Sequence, residues 1–269
     1  RNIHTKDFNW TTNLNIGYNE NKVIQETVAQ NATYPGREGY PVGALFAYKT
    51  AGLDADGYPL FVNKNGEKVS ATEFLKLNAH GASTLTAEEQ RNLYTYMGST
   101  DPKWTGGFIN TFDYKNWQLG INFTFNFGMK VRVQPSYSPA NYDRGLNVNR
   151  DILNRWTADN TSGSFTKLMV STERPREYVQ YNEYNLYSML DTWVKDCNYA
   201  RLQSLRLGYK LPTQWLSRIG VKSASLSLEA RNLLVIASNY SNYLDPETMG
   251  NPYAQPIPKS FIFGVNVNF

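Results

Sequence analysis

Eight tyrosines and tryptophans in the predicted connections between strands are the side chains best suited to hold a ligand. Their flat faces can stack on the C–H surfaces of sugar rings or on peptide side chains without stripping water from a charge. The alternative is that these rings fill gaps between loops or face a partner protein. The candidate substrate-binding residues are Tyr137, Tyr142, Trp156, Tyr181, Tyr184, Tyr187, Tyr240 and Tyr243.

Residues for catalysis or metal binding are few. The chain has one cysteine, Cys197, and two histidines, His4 and His80, which are too few for a Cys/His metal cluster. The stretch from Asp54 to Gly57 lacks most ligands of a calcium loop, and its turn-forming residues favour a β-turn. A phosphate-binding glycine loop, a G-x-S-x-G elbow and an H-E-x-x-H pair are all missing. We therefore expect no enzyme activity, no metal site and no cofactor.

Composition favours β structure and argues against nucleic-acid binding. Aromatic residues make up 14% of the sequence and charged residues 19%, and aromatic side chains suit a pleated sheet. The net charge is +4, but the 27 basic residues are scattered among 23 acidic ones and form no basic patch. No run of apolar residues is long enough for a membrane-spanning helix.

The last residues alternate strictly between apolar and polar side chains. Such a period of two predicts a strand with one apolar face and one polar face. A soluble domain gains little from an apolar strand that ends on an aromatic residue, because chain ends usually fray. The apolar positions are Phe261, Phe263, Val265, Val267 and Phe269.

A second alternating pattern predicts a long hairpin with its turn at Lys115 and Asn116. From Trp104 to Tyr114, at ~3.4 Å per residue and a ~45° tilt, its first strand spans about 24 Å, which matches the apolar band of a transmembrane barrel. Asn110 interrupts the apolar face. We expect the second strand to run on to about Tyr137. The predicted lipid-facing residues are Trp104, Phe108, Phe112, Tyr114, Trp117, Leu119, Ile121, Phe123, Phe125 and Phe127.

Four further segments bring the expected number of strands to about seven. They are residues 8–18, 43–50, 199–211 and 224–231. Residues 199–211 have a mixed pattern, so the facing of their side chains is uncertain.

Short and long connections alternate along the chain. Residues 115–116 and 212–220 form tight links, whereas residues 52–104, 137–196 and 237–258 form long ones. Outer-membrane barrels have short turns on one side and long extracellular loops on the other. The pattern predicts an all-β, antiparallel transmembrane barrel, and a soluble β-sandwich that binds carbohydrate is the alternative fold.

Several stretches resemble, in order, the SusC/RagA family of TonB-linked outer-membrane transporters of Bacteroidetes. The C-terminal strand is similar to the family's closing strand. Other matching stretches begin at Asp101, Tyr199, Glu229 and Tyr243, and residues 10–23 match more loosely.

The resemblance implies that residues 1–269 are the C-terminal strands of a barrel of about 22 strands, whose plug and N-terminal domains lie outside this chain. Seven strands alone would leave edges unpaired in lipid, so we expect them to need the rest of the barrel. The family's function implies import of an oligosaccharide or oligopeptide across the outer membrane, and a passive porin is the alternative. Implied partners are a SusD-like surface lipoprotein that caps the barrel, and TonB, which acts through the absent N-terminal region. The apolar residues of the last strand and Phe269 would form the barrel-insertion signal.

Overall fold

The computed structural model describes residues 1–80, 82–135, 145, 147–148, 150–163, 165–168, 183–217, 220–238, 245–249, 251 and 254–269. Strands dominate these residues, and the helices are short. In chain order, strands β1 to β14 are Ile3–His4, Phe8–Tyr18, Ala44–Ala47, Thr50–Leu53, Pro59–Val62, Lys68–Val69, Thr95–Ser99, Trp104–Tyr114, Trp117–Phe127, Lys130–Arg132, Val194–Asp196, Tyr199–Lys210, Ser223–Ala237 and Ser260–Asn268. Helices α1 to α4 are Ala71–Leu75, Ala87–Arg91, Glu183–Ser188 and Thr213–Leu216, and 3₁₀ turns cover Arg150–Asn154 and Asp191–Trp193.

The chain divides into two compact units. The first, called the sheet unit, comprises Arg1–Glu20, Asp101–Met129 and Asp196–Phe269. The second, called the loop unit, comprises Asn21–Thr100 and Lys130–Lys195.

The sheet unit is built on one seven-stranded sheet in the order β1-β2-β8-β9-β12-β13-β14. Every neighbouring pair in it is antiparallel. The predicted hairpin is confirmed, because Trp104 pairs with Phe127 and Tyr114 pairs with Trp117. The predicted antiparallel, all-β architecture with about seven strands is therefore confirmed.

The predicted continuation of the second hairpin strand to Tyr137 is wrong. Strand β9 ends at Phe127, and Gly128 follows with a φ of +79°, a conformation that an L side chain rarely adopts. A Cβ at Gly128 would also lie 2.9 Å from Cβ of Lys103. The next strand, β10, pairs with β11 and not with the large sheet.

Two further predictions about the long connections are corrected. The strand expected at residues 43–50 appears as β3, but it pairs with β7 in a small separate sheet. The stretch expected as a long link after Gly52 carries strands β5 to β7 and helices α1 and α2. The seventh strand of the large sheet is instead the short β1, which was not predicted.

A β-bulge explains the mixed pattern of residues 199–211. Leu202 of β12 pairs with Phe123 of β9, but Ser204 pairs with Asn122, so Gln203 is an extra residue. Before the bulge the even-numbered residues of β12 share the face of Phe123, and after it the odd-numbered ones do. The apolar face therefore remains continuous although the numbering pattern reverses.

The loop unit has an aromatic core of its own. The ring of Phe61 stacks on that of Phe74 at 4.8 Å, and Tyr48 stacks on Tyr94 at 4.1 Å. Helix α2 begins with a capping box, in which the Thr86 hydroxyl accepts from the Glu89 backbone N–H and the Glu89 carboxylate accepts from the Thr86 backbone N–H. The turn predicted at Asp54 is confirmed, since its carboxylate accepts from the backbone N–H groups of Asp56 and Tyr58.

Candidate functional site

The large sheet carries all ten predicted lipid-facing residues on one face. Cross-strand partners share a face, and Phe108 of β8 lies between Leu14 of β2 and Phe123 of β9. The face continues through the apolar residues of β12 and β13 to β14, where Leu228 pairs with Phe263. It is most open toward its two edges, where the exposed fraction is 62% at Leu14 and 69% at Phe263, while Phe108 and Phe123 between them are half-buried.

Aromatic pairs mark both ends of this apolar face. At the end that leads into the long connections, the rings of Tyr18 and Trp104 lie 4.7 Å apart. At the end with the short turns, the rings of Trp117 and Tyr209 lie 4.5 Å apart. Between them, Phe108 stacks on Phe123 at 5.1 Å.

Asn110, the polar interruption noted in the sequence, is hydrogen-bonded within the face. Its side-chain oxygen accepts from the Trp10 indole N–H at 2.9 Å and from the Thr12 hydroxyl at 2.6 Å. The Thr12 hydroxyl in turn accepts from the Asn2 side chain at 2.6 Å. The two bonds to Asn110 cross from β2 to β8, and all three satisfy polar groups on an apolar surface.

The predicted insertion signal lies at one edge of the sheet. Phe261, Phe263, Val265 and Val267 all face the apolar side of β14, where they pair with residues of β13. Phe269 follows the strand and is 79% exposed. The Lys222 ammonium donates to the Phe269 carbonyl at 2.9 Å.

The opposite face of the sheet is polar and holds a buried ion-pair cluster. Arg201 of β12 is only 1% exposed, and its Nε donates to Glu247 Oε1 at 2.6 Å. Its second terminal nitrogen donates to Asp245 Oδ1. Asp245 is itself buried, so one guanidinium bridges two carboxylates of a single turn.

The turn that holds these carboxylates, residues 245–249, also covers Cys197. The Cys197 thiol donates to the Pro246 carbonyl at 3.2 Å, and its Sγ lies 3.5 Å from Sδ of Met249. Burial, together with the nearby charge of Asp245, raises the pKa of Cys197 to about 11. The thiol is therefore neutral and unreactive at neutral pH.

The ion-pair cluster was not predicted as a site. The residues Arg201, Asp245 and Glu247 lie in stretches that supported the family resemblance, but nothing in the local sequence links Arg201 to carboxylates more than forty positions away. The sequence shows only that Arg201 is a basic residue on the polar side of a predicted strand. That position is equally typical of a basic side chain exposed to water.

The structure describes only part of the predicted ligand-binding aromatics. Trp156 lies in the loop unit against Gly57, where a Cβ would come within 2.5 Å of the indole ring. Tyr187 is buried, with its ring edge-on to Trp193 at 5.3 Å, so in this structure it packs the interior of the unit. Tyr184 lies in α3, but its side chain is outside the described residues, as are all of Tyr137, Tyr142, Tyr181, Tyr240 and Tyr243.

The part of the chain that is described contains no group of three or more His, Cys, Asp or Glu residues able to hold a metal ion. None of its helices is long and apolar enough to cross a membrane.

Comparison with known proteins gives matches over nearly the whole chain. The chain is 26% identical to TonB-dependent receptor P3 of Formosa agariphila, over 100% of this chain and 28% of the receptor. It is 23% identical to TonB-dependent receptor SusC of Bacteroides thetaiotaomicron, over 99% of this chain and 25% of SusC. No protein-family model matches the sequence.

Solved structures give the same result. The chain is similar to a chain in the structure of the RagAB peptide transporter, with a TM-score of 0.70, 25% identity, and coverage of 99% of this chain and 28% of that one. A structure of the RagAB peptide importer in an open-open state matches with a TM-score of 0.71. The chain thus spans a little over a quarter of the length of the receptors that it matches.

Proposed function

We propose that this chain forms C-terminal barrel strands of a SusC/RagA-type TonB-dependent receptor and takes part in energised import of a nutrient across the outer membrane. The matched receptors are several times longer than this chain, so the rest of the barrel and a plug domain complete the transporter. One observation carries the proposal: the seven-stranded sheet exposes an apolar face from Leu14 to Phe263, a surface that suits lipid and not water.

The two faces of the sheet then have different surroundings. The apolar face contacts acyl chains, and its terminal aromatic pairs lie at the two interfaces, where amphipathic rings are favoured. The polar face, with Asn13, Asn122 and Thr124, lines the aqueous interior. The soluble β-sandwich is disfavoured by the same exposure, since a sandwich would bury its apolar face against a second sheet.

The loop unit supplies the extracellular part. Its aromatic residues, together with those outside the described residues, contribute contacts to cargo or to a SusD-like surface lipoprotein. The similar RagAB structure is that of a peptide transporter, which favours an oligopeptide over an oligosaccharide as cargo. Tyr187 takes part only if the packing around Trp193 opens.

Uptake by cells that carry the intact receptor tests the proposal. Labelled oligopeptides and oligosaccharides are supplied to cells with the receptor gene, without it, and with the gene but without TonB. Import of either class that requires both the receptor and TonB is the expected result. Import that persists without TonB would indicate a passive porin, and import independent of the receptor would contradict the proposal.

A further inference from the structure

One end of the polar face is covered by a turn of the same chain, residues 245–249. Most residues of β12 are half-buried or exposed, and Arg206 on the polar face is exposed. Arg201, on the same face of the same strand, is 1% exposed beneath residues 245–249. Asp245 and Met249 of that turn are buried with it.

The contacts that hold this turn are unusually costly to bury. Removing a guanidinium and a carboxylate from water carries a large penalty, which is recovered only when geometry and further hydrogen bonds are good. Here Asp245 Oδ1 also accepts from the Glu247 backbone N–H at 3.0 Å, and the Asp245 carbonyl accepts from the Thr248 N–H at 2.9 Å. The turn is therefore preformed by its own bonds and fixed to the sheet through Arg201.

From this geometry we infer that residues 245–249 form a fixed constriction on the inner wall of the passage, with Arg201 as the residue that positions it. The inference rests on the proposed function, because only a passage can be narrowed. Glu247 keeps 29% of its side chain accessible, so this part of the turn stays open to water. Loss of the anchor should release the turn and admit larger cargo.

Cys197 reports directly on the position of the turn. Its thiol lies under Pro246 and Met249 and is the sole cysteine of the sequence. We expect a maleimide to reach it more readily when residues 245–249 move away. The labelling rate of Cys197 therefore measures release of the turn without any need for transport.

The experiment uses the intact receptor in outer-membrane vesicles, with cysteines outside this chain replaced. Arg201→Met removes both ion pairs, and Arg206→Met is the matched control on the same face of β12. We expect Cys197 labelling by a membrane-impermeant maleimide at pH 7 to rise about tenfold or more in Arg201→Met and to stay unchanged in Arg206→Met. The upper size limit of imported cargo should rise in Arg201→Met alone.

Each outcome decides a part of the inference. Unchanged labelling would overturn the role of Arg201 as anchor, and faster labelling with an unchanged size limit would overturn the constriction. A wild-type receptor that imports nothing would refute the proposed function, while the labelling rates would still report on the anchor. If Arg201→Met lowers the yield of folded receptor, Glu247→Gln removes only the partly exposed carboxylate and should give a smaller rise in both quantities.

Discussion

The Trp10 indole N–H donates a 2.9 Å hydrogen bond to the Asn110 side-chain oxygen in the middle of the apolar face of the sheet. The Thr12 hydroxyl donates to the same oxygen. If this face contacts lipid, as proposed, no water replaces these partners, and Asn110 then stabilises β2 against β8 at a position where an isolated amide would be unfavourable.

Asn110→Leu should destabilise the receptor, because it removes an acceptor shared by Trp10 and Thr12. The expected loss is about 1–2 kcal/mol in the free energy of unfolding, measured by equilibrium denaturation in lipid vesicles. Trp10→Phe, which removes a single donor and keeps a ring, should lose less. Equal or greater stability of Asn110→Leu would mean that the bonds contribute nothing there.

An introduced charge should destabilise the barrel by very different amounts at two neighbouring residues of β8. Phe108→Arg places a cation on the apolar face and should cost about 2–4 kcal/mol, as found near the midplane of outer-membrane barrels. Ile109→Arg places it on the polar face, where Ile109 pairs with Asn13 and Asn122, and should cost far less. Unfolding in vesicles measures both, and similar costs at the two positions would contradict the assignment of the faces.

Gly57 and Gly66 separate backbone strain from steric overlap in the loop unit. Both have a positive φ, +85° and +82°, but only at Gly57 would a Cβ meet another ring, that of Trp156. Gly66→Ala should cost about 1 kcal/mol from strain alone, and Gly57→Ala a further ~1–3 kcal/mol with a shift in Trp156 fluorescence. If Gly57→Ala and Gly66→Ala lose the same amount of stability, the Trp156 ring does not pack against Gly57.

The Glu26–Arg37 pair makes the local stability of the loop unit depend on pH. Hydrogen bonds from the Arg37 side chain, and from its backbone N–H, hold the pKa of Glu26 below its ordinary value. A lowered pKa means that the folded form favours the charged carboxylate, so this contribution is present above the ordinary pKa of Glu and is lost as pH falls through the lowered one.

Hydrogen exchange of the Arg37 amide measures this effect, and protection should weaken on acidification. In Glu26→Gln the acid-dependent step should be absent, with weaker protection at neutral pH. If the exchange rate of the Arg37 amide has the same pH dependence in the wild type and in Glu26→Gln, the ion pair does not contribute to local stability.

Deleting Phe269 should reduce the amount of receptor inserted in the outer membrane, if the last strand is read by the insertion machinery. The ring is 79% exposed and Lys222 donates to the backbone carbonyl, so the folded barrel should lose little stability. Immunoblots of membrane fractions give the inserted amount, and unfolding of the purified variant gives its stability. Normal insertion would leave Phe269 with lipid contact as its sole role.

The sequence predicted those parts of the fold where a period of two is sustained on one face. Strands β8, β9 and β14 were recognised because apolar and polar residues alternate along them, as they do on the two faces of a strand. Gly128 was missed, because alternation continues across it while the backbone turns. Strand β1 is too short to show any period.

The ion-pair cluster shows a different limit of sequence reasoning. The sequence pattern around a strand residue such as Arg201 is the same whether the side chain faces water or a carboxylate. Its partners Asp245 and Glu247 come from a connection that is distant in the sequence. The start of helix α2, by contrast, can be predicted from the sequence, because Thr86 and Glu89 have the spacing of a capping box.

Gln203 is a spare residue in the alternation of β12. A gene that lost this one position would join Leu202 to Ser204 and leave strict alternation, so Leu205, Leu207 and Tyr209 would stay on the apolar face and Arg206 on the polar face. Loss of Gln203 should therefore be tolerated, whereas a single residue added elsewhere in the strand would exchange the two faces beyond it.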